Sequence, residues 1–244
     1  MIPIRDENPS GTIPVVTVSL IIANAVVFAK EVMMSEWQLV AFANTYGMIP
    51  RETMRAWAHL SLGSPHAGLT FITSIFLHSG WMHFLGNMWF LWIFGDNIED
   101  HFGHIRYLFF YLACGIGAEL AHFILHPLSN IPCIGASGAI AGVLGAYAVR
   151  FPMARILTLL PFFWLFFAEI PAFYFLGIWF VFQLLPGIGT IGALKGAGVA
   201  YWAHVGGFLI GMVSVLFLRR RKRSRQSVYT DFHIAPSSRS RRRW

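Results

Sequence analysis

The chain has 244 residues, of which 56% are hydrophobic and only 12% are charged. Soluble domains carry about 25% charged residues, so this composition predicts a membrane protein with several spans and excludes an ordinary soluble enzyme. The formal net charge of +7 arises in residues 219–244, which hold ten Lys or Arg and one Asp, whereas the rest of the chain is slightly acidic. The basic excess is therefore local, and we expect no nucleic-acid partner.

Six apolar segments approach the length of about 20 residues that a helix needs to cross a bilayer. Their long apolar runs lack the polar alternation of membrane strands. They predict an all-α membrane protein, with six transmembrane helices in one domain over residues 13–218. In chain order the segments are Ile13–Met34, Leu69–Phe94, Ile105–Leu125, Cys133–Val149, a fifth that ends near Leu185, and Ala197–Leu218.

The fifth segment has two interpretations. Arg155–Leu185 is too long for one upright helix, and Pro161 and Pro171 interrupt it. Because proline suits the first turn of a helix, a helix could open at Pro171, with Arg155–Ile170 as an interfacial hairpin or loop. The alternative is one long, tilted helix.

Basic residues after the sixth segment predict the orientation. Lys and Arg are enriched on the cytoplasmic side, which places this end and, with six spans, the short N-terminus (residues 1–12) in the cytoplasm. Residues 35–68 then form an external loop, long enough to have structure of its own. The basic tail, residues 219–244, is expected to be disordered. It either binds anionic lipid or acts only as a topology anchor.

Polar residues from three apolar segments lie at one depth. Ser137, His83 and His204 each precede, by thirteen to fifteen positions, a charged residue that marks the predicted inner boundary. At the helical rise this separation is roughly 20 Å. Asn87 follows His83 by one turn on the same helical face. Ionisable groups inside a membrane are costly and are therefore candidates for a functional site.

A serine and an imidazole at the same depth predict nucleophilic catalysis. A serine hydroxyl needs a base to take its proton, and neutral His204 is the candidate base for Ser137. No acidic partner for the histidine is evident, so a dyad is favoured over a triad. The backbone N–H of Ser137, the ring of His83 and the amide of Asn87 are candidate oxyanion donors.

Each of these residues also has an ordinary explanation. The Gly-x-Ser-Gly sequence at Ser137 could reflect close helix packing, because small residues let membrane helices approach. His204 alone could be a packed histidine, and Asn87 alone could be an interhelical hydrogen bond. Their common depth is what favours catalysis over packing.

The arrangement resembles the rhomboid family of intramembrane serine proteases, from about Phe71 to Gly211. Three motifs carry the resemblance: His-x-x-x-x-His-x-x-x-Asn, Gly-x-Ser-Gly and Ala-His-x-x-Gly-x-x-x-Gly. Their residues in this chain are His78, His83 and Asn87; Gly135, Ser137 and Gly138; and Ala203, His204, Gly207 and Gly211.

The resemblance implies that Ser137 attacks a peptide bond and that His204 is the general base. It implies an oxyanion hole of His83, Asn87 and the Ser137 N–H, with no metal or cofactor. The implied partners are the lipid bilayer and membrane proteins with one transmembrane span, cut near the outer surface. The fifth segment and the loop at Pro186–Gly198 would admit the substrate. A prokaryotic cell membrane is the expected location.

Two positions depart from the family pattern. Leu69 and Thr70 stand where many members carry Trp-Arg, and Ala141 stands where some carry a tyrosine beneath the base histidine. The support of the His204 ring is therefore not apparent from the sequence. Two alternatives remain: a non-proteolytic rhomboid-like protein that binds membrane clients, and a small transporter, which would need paired inverted halves.

Overall fold

The computed structural model describes residues 1–61, 63–161, 165–190 and 199–218, and this part is mostly helical with one small sheet. The predicted basic tail, residues 219–244, and residues 191–198 of the predicted glycine-rich loop lie outside it. The helices in chain order are α1 (Val15–Val32), α2 (Glu36–Tyr46), α3 (Pro50–Ala58), α4 (Thr70–Thr73), α5 (Trp81–Phe102), α6 (His104–Leu125), α7 (Ser137–Arg150), α8 (Ala172–Gly189) and α9 (Tyr201–Phe217).

Among the residues that the structure describes, three helices are long and apolar enough to cross a membrane, namely α1, α6 and α8. Helix α9 is apolar but shorter, and α7 has only 14 residues. Helix α5 has 22 residues, but its last turns carry several acidic side chains. These helices agree with the predicted integral membrane protein, whereas the count of six spans stays a prediction.

The predicted second span, Leu69–Phe94, has the wrong bounds. The chain leaves helical geometry after a short 3-10 turn at Ser74–Phe76, and α5 begins only at Trp81. Gly80, directly before it, has a φ of 157°, a conformation that residues with a Cβ rarely adopt. The break separates His78 from the helix that carries the other polar residues of the second segment.

The ends of two later segments also differ from the prediction. Helix α7 begins at Ser137 rather than at Cys133, which instead pairs with Met48 in an isolated bridge. Pro186 lies inside α8, which continues to Gly189. The loop after this helix therefore starts later than the predicted Pro186.

Glu99 is a buried side chain within α5. It accepts the backbone N–H groups of Val16 and Thr17, both at 2.8 Å, and the Thr17 hydroxyl at 2.7 Å. Glu99 Oε1 also lies 2.6 Å from His104 Nδ1. Helix α1 begins after Pro14 without a local side-chain cap, so Glu99 supplies the acceptors that the first-turn N–H groups need.

Three antiparallel strands form a sheet that the all-α prediction lacked. Strand β1 (Ile2–Asp6) pairs with β2 (Arg155–Pro161), which pairs with β3 (Leu165–Pro171). The hairpin interpretation of Arg155–Ile170 is therefore the one that the structure has, and the long tilted helix is wrong. Helix α8 begins directly after Pro171, whose ring suits the first turn of a helix.

Asp6 attaches the N-terminal strand to the helices. Its Oδ2 accepts the Tyr147 hydroxyl at 2.5 Å and the Asn97 amide at 3.0 Å, and Trp89 Nε1 donates to the Pro3 carbonyl at 2.6 Å. Burial raises the pKa of Asp6 to about 6. The N-terminus, predicted only as a short tail, thus contacts both α5 and α7.

Helices α7 and α9 lie so close together that their backbones leave no room for side chains at the contact. A Cβ placed on Gly207 would collide with the carbonyl oxygen of Gly138, and one placed on Gly211 would collide with that of Gly142. Small residues permit this approach between membrane helices. The contact brings the start of α7 beside the first turns of α9, which is where the candidate site lies.

Candidate active site

Ser137 is the first residue of α7, and a strained turn presents it. Gly135 has a φ of 123°, which strongly favours glycine, and its N–H donates to the Ser74 carbonyl at 2.8 Å. The first N–H groups of a helix have no acceptor within that helix. The Ser137 hydroxyl and its backbone N–H therefore occupy a helix start that can receive an acceptor from outside.

The structure brings Ser137 and His204 into hydrogen-bond contact. The Oγ of Ser137 lies 2.7 Å from Nε2 of His204 on α9. The distance is short because Gly138, which follows Ser137, and Gly207, one turn after His204, let the helix backbones touch. A hydroxyl that donates to a neutral imidazole has the geometry that a nucleophile and its base require.

Gln183 is a further residue of the site, which the sequence interpretation missed. Its Oε1 lies 2.8 Å from Nδ1 of His204, and the ring of Trp179 lies 6.1 Å from that imidazole. Both residues are on α8. A signal was available, because Gln183 is an amide in a helix that is otherwise apolar or aromatic.

His83 lies against the turn that carries the serine. A Cβ on Gly135 would lie 2.6 Å from His83 Nε2, which shows how closely the ring covers this turn. On the other side of the ring, Nδ1 lies 3.4 Å from the backbone N of Ser79 and 3.1 Å from its hydroxyl. A backbone N–H only donates, so Nδ1 accepts and the neutral ring carries its proton on Nε2. This proton faces the site.

Asn87 contributes a donor that has no hydrogen-bond partner in the described part of the chain. The residue is only 8% exposed, and its Nδ2 is buried and unpaired. The same Nδ2 would lie 3.6 Å from a Cβ on Gly135. A buried amide without a partner is costly, which is expected where the partner is a substrate atom.

His78 is not part of the group around Ser137. It is 1% exposed, its backbone N donates to Glu31 at 3.1 Å, and its ring meets that of His83 edge-on at 5.2 Å. Its ring nitrogens have no hydrogen-bond partner in the described ranges. His78 therefore contacts the site through the neighbouring histidine ring.

A cavity of about 660 Å³ joins these groups. Its walls come from α5, α6, α7, α8 and α9 and from the segment before Ser137. Glu119 and His122 of α6 also line it; Glu119 accepts from Ser74 at 3.1 Å. The site residues that line the cavity are His83, Asn87, Gly135, Ser137, Gly138, Gln183 and His204.

A family model described as Rhomboid domain matches residues 65–221, more than half of the chain. This chain belongs to the Rhomboid family. The match includes every residue of the site described above. The resemblance inferred from the three motifs is thereby confirmed at the level of the family.

Similar proteins include a bacterial protein and proteins whose names place them in chloroplasts or mitochondria. "Rhomboid-like protein 11, chloroplastic" of Arabidopsis thaliana is 29% identical over 62% of this chain and 52% of its own length. "Rhomboid protein 1, mitochondrial" of Saccharomyces cerevisiae is 31% identical over 59% of this chain and 40% of its own. "Rhomboid protease GluP" of Bacillus subtilis is 44% identical over 31% of this chain and 14% of its own length. The chain spans about half or less of the length of these relatives. Because they include organellar as well as bacterial proteins, the prokaryotic location stays a prediction.

Proposed function

We propose that the protein is an intramembrane serine endopeptidase that hydrolyses peptide bonds in or near the transmembrane segments of membrane proteins. The observation that carries the proposal is the 2.7 Å contact between Ser137 Oγ and His204 Nε2 within a cavity that also receives two candidate oxyanion donors. Membership of the Rhomboid family, with relatives named as proteases, supports the same reaction.

The first half of the reaction forms an acyl-enzyme. Ser137 Oγ attacks the substrate carbonyl carbon while His204 Nε2 takes the hydroxyl proton. The carbonyl oxygen becomes an oxyanion, and the peptide C–N bond then breaks as the histidine gives its proton to the leaving amine. In the second half a water attacks the ester carbonyl carbon while the same histidine takes the water proton. The ester C–O bond then breaks, the histidine returns its proton to Ser137 Oγ, and the carboxylic acid product leaves.

The oxyanion is assigned three donors: the Ser137 N–H, His83 Nε2–H and the Asn87 amide. The unpaired state of the Asn87 Nδ2 supports this assignment, because the substrate oxygen would supply its missing acceptor. Donors that are already in place stabilise the developing charge without reorganisation, and removal of one such donor typically costs about 3–4 kcal/mol.

The arrangement in the membrane belongs to the same proposal. We propose six spans, both termini in the cytoplasm and a location in a prokaryotic cell membrane. In this arrangement α8 lies beside the path of substrate entry, and the basic tail binds anionic lipid. Reporter fusions to the two termini test the orientation. An external signal from either fusion would overturn it.

The decisive experiment uses purified protein in detergent. Wild-type protein, Ser137→Ala and His204→Ala are incubated with a fluorophosphonate probe and, separately, with a model substrate that has one transmembrane span. We expect labelling and cleavage by the wild type only, with unchanged thermal stability in the variants. Undiminished cleavage by Ser137→Ala would refute the proposal. A stable wild type that neither cleaves nor reacts with the probe would favour the non-proteolytic alternative, a protein that binds membrane clients.

A further inference from the structure

The base of the proposed reaction must hold its single proton on the correct nitrogen. Neutral histidine has two tautomers, and only the one with a free lone pair on Nε2 can take the proton of Ser137. A dyad without a third residue leaves this choice to the surroundings. The second nitrogen of His204, Nδ1, therefore needs a partner that accepts its proton.

We propose that Gln183 is a positioning residue, which holds His204 in the tautomer that accepts the proton of Ser137. Its Oε1 lies 2.8 Å from Nδ1, on the opposite side of the ring from the 2.7 Å contact with the serine. A carbonyl oxygen only accepts, so Nδ1 carries the proton and Nε2 is free. The inference rests on the proposed function, and it adds a third residue to the dyad.

The second contribution of Gln183 arises during the reaction. When His204 has taken the serine proton it is an imidazolium, and its Nδ1–H becomes a stronger donor. The amide oxygen then faces more positive charge than in the resting enzyme. Since this hydrogen bond strengthens in the transition state, it raises kcat rather than only substrate binding.

The contact depends on how α8 is placed against α9. Near its C-terminal end, Trp202 Nε1 donates to the Gly187 carbonyl at 2.9 Å, and His126 Nε2 lies 3.1 Å from the Thr190 carbonyl. These bonds hold the end of α8 one to two turns beyond Gln183. The serine, the base and the positioning amide thus come from three helices, and the correct tautomer requires α8 to be docked.

Three variants test the assignment. Gln183→Leu removes the acceptor at similar volume, Gln183→Glu keeps an acceptor and adds a charge, and Val181→Leu changes an exposed position on the same helix as a control. Each protein is purified in detergent and checked for folding by its melting temperature. The readouts are kcat and KM for the model substrate, the pH–rate profile, and the ¹⁵N ring shifts of His204.

We expect Gln183→Leu to lower kcat by on the order of ten- to a hundred-fold, by analogy with the loss when the partner that orients a metal-bound histidine is removed, with little change in KM. Gln183→Glu should recover most of the activity. Its carboxylate favours the imidazolium, so the acid limb of the profile should move to higher pH. The other titratable side chains that line the cavity are the same in all proteins, namely His83, Glu119, His122 and Cys133.

The ring shifts separate this inference from the proposed function. In the wild type we expect a protonated Nδ1 and an unprotonated Nε2, and in Gln183→Leu a mixture of tautomers. Wild-type shifts with the proton on Nε2, or Gln183→Leu with unchanged shifts and unchanged kcat, would overturn the role of Gln183 even in an active protease. A tautomer change in a protein without protease activity would support the positioning role and refute the proposed reaction.

Discussion

Gly211 of α9 lies directly against the carbonyl oxygen of Gly142 of α7, with no room for a Cβ between them. The same relationship recurs one turn closer to the site, between Gly207 and Gly138. Two helices in contact through their backbones fix the distance between the residues that they carry. The contact between Ser137 and His204 is thus a consequence of four positions without side chains.

Gly211→Val should separate α7 from α9 and weaken both folding and catalysis. Overpacking of a well-packed contact typically costs about 1–3 kcal/mol, and a shift of either helix lengthens the bond between Ser137 and His204. The measurements are the melting temperature and the rate of fluorophosphonate labelling. Gly177→Ala is the matched control, because a Cβ there meets nothing within 4 Å. Equal labelling rates in the two variants would contradict this account.

Asn87→Ala should lower kcat without loss of stability. Removal of a buried donor usually leaves its partner unpaired, but the Asn87 Nδ2 has no partner in the described part of the chain. We expect a smaller loss of turnover than in Ser137→Ala, because two oxyanion donors remain. Steady-state kinetics and thermal unfolding check both statements. An unchanged kcat would remove Asn87 from the oxyanion hole.

Glu99→Leu should destabilise the fold more than Glu99→Gln. The leucine leaves the N–H groups of Val16 and Thr17 without their acceptor, whereas glutamine retains one carbonyl oxygen. A buried group left without a partner costs about 1–3 kcal/mol. Thermal unfolding in one detergent ranks the two variants against the wild type. Equal melting temperatures for the two variants would contradict the role of Glu99 as the acceptor for the first N–H groups of α1.

Asp6→Asn should make stability less dependent on pH. Burial raises the pKa of Asp6 from 3.8 to about 6 in the folded protein, so the folded state binds this proton more tightly than the unfolded state. The resulting stabilisation is complete below pH 3.8 and is lost as pH rises through 6.

The melting temperature of the wild type should therefore fall, relative to that of Asp6→Asn, between pH 4 and 7. Asparagine keeps an oxygen that can accept from Tyr147, so the variant should retain β1 in the sheet. Parallel curves for the two proteins over this range would contradict a raised pKa for this carboxyl.

Part of the site could be predicted from the sequence alone. Counting along helices predicted a common depth for His83, Ser137 and His204, because a regular rise converts sequence position into height along a helix. The apolar segments likewise identified a helical membrane protein, since the bilayer sets both their length and their composition. The motifs identified the family, which the domain match confirms.

Other features depended on contacts between distant segments. The burial of Glu99 against the start of α1 and the pairing of β1 with β2 each join parts of the chain far apart in sequence. No local pattern encodes such partners. A hydrophobic run shows only that a segment can be buried, so the single predicted span over Leu69–Phe94 concealed the break at Gly80.

The sequence by itself determined the class of molecule and the chemical groups at the candidate site, because composition, helical rise and motif spacing are properties of the chain. Only the tertiary structure decided which nitrogen of His204 faces Ser137 and that Gln183 stands behind it. Hydrogen bonds depend on angles and on distances of a few ångströms, and packing between α7, α8 and α9 sets these.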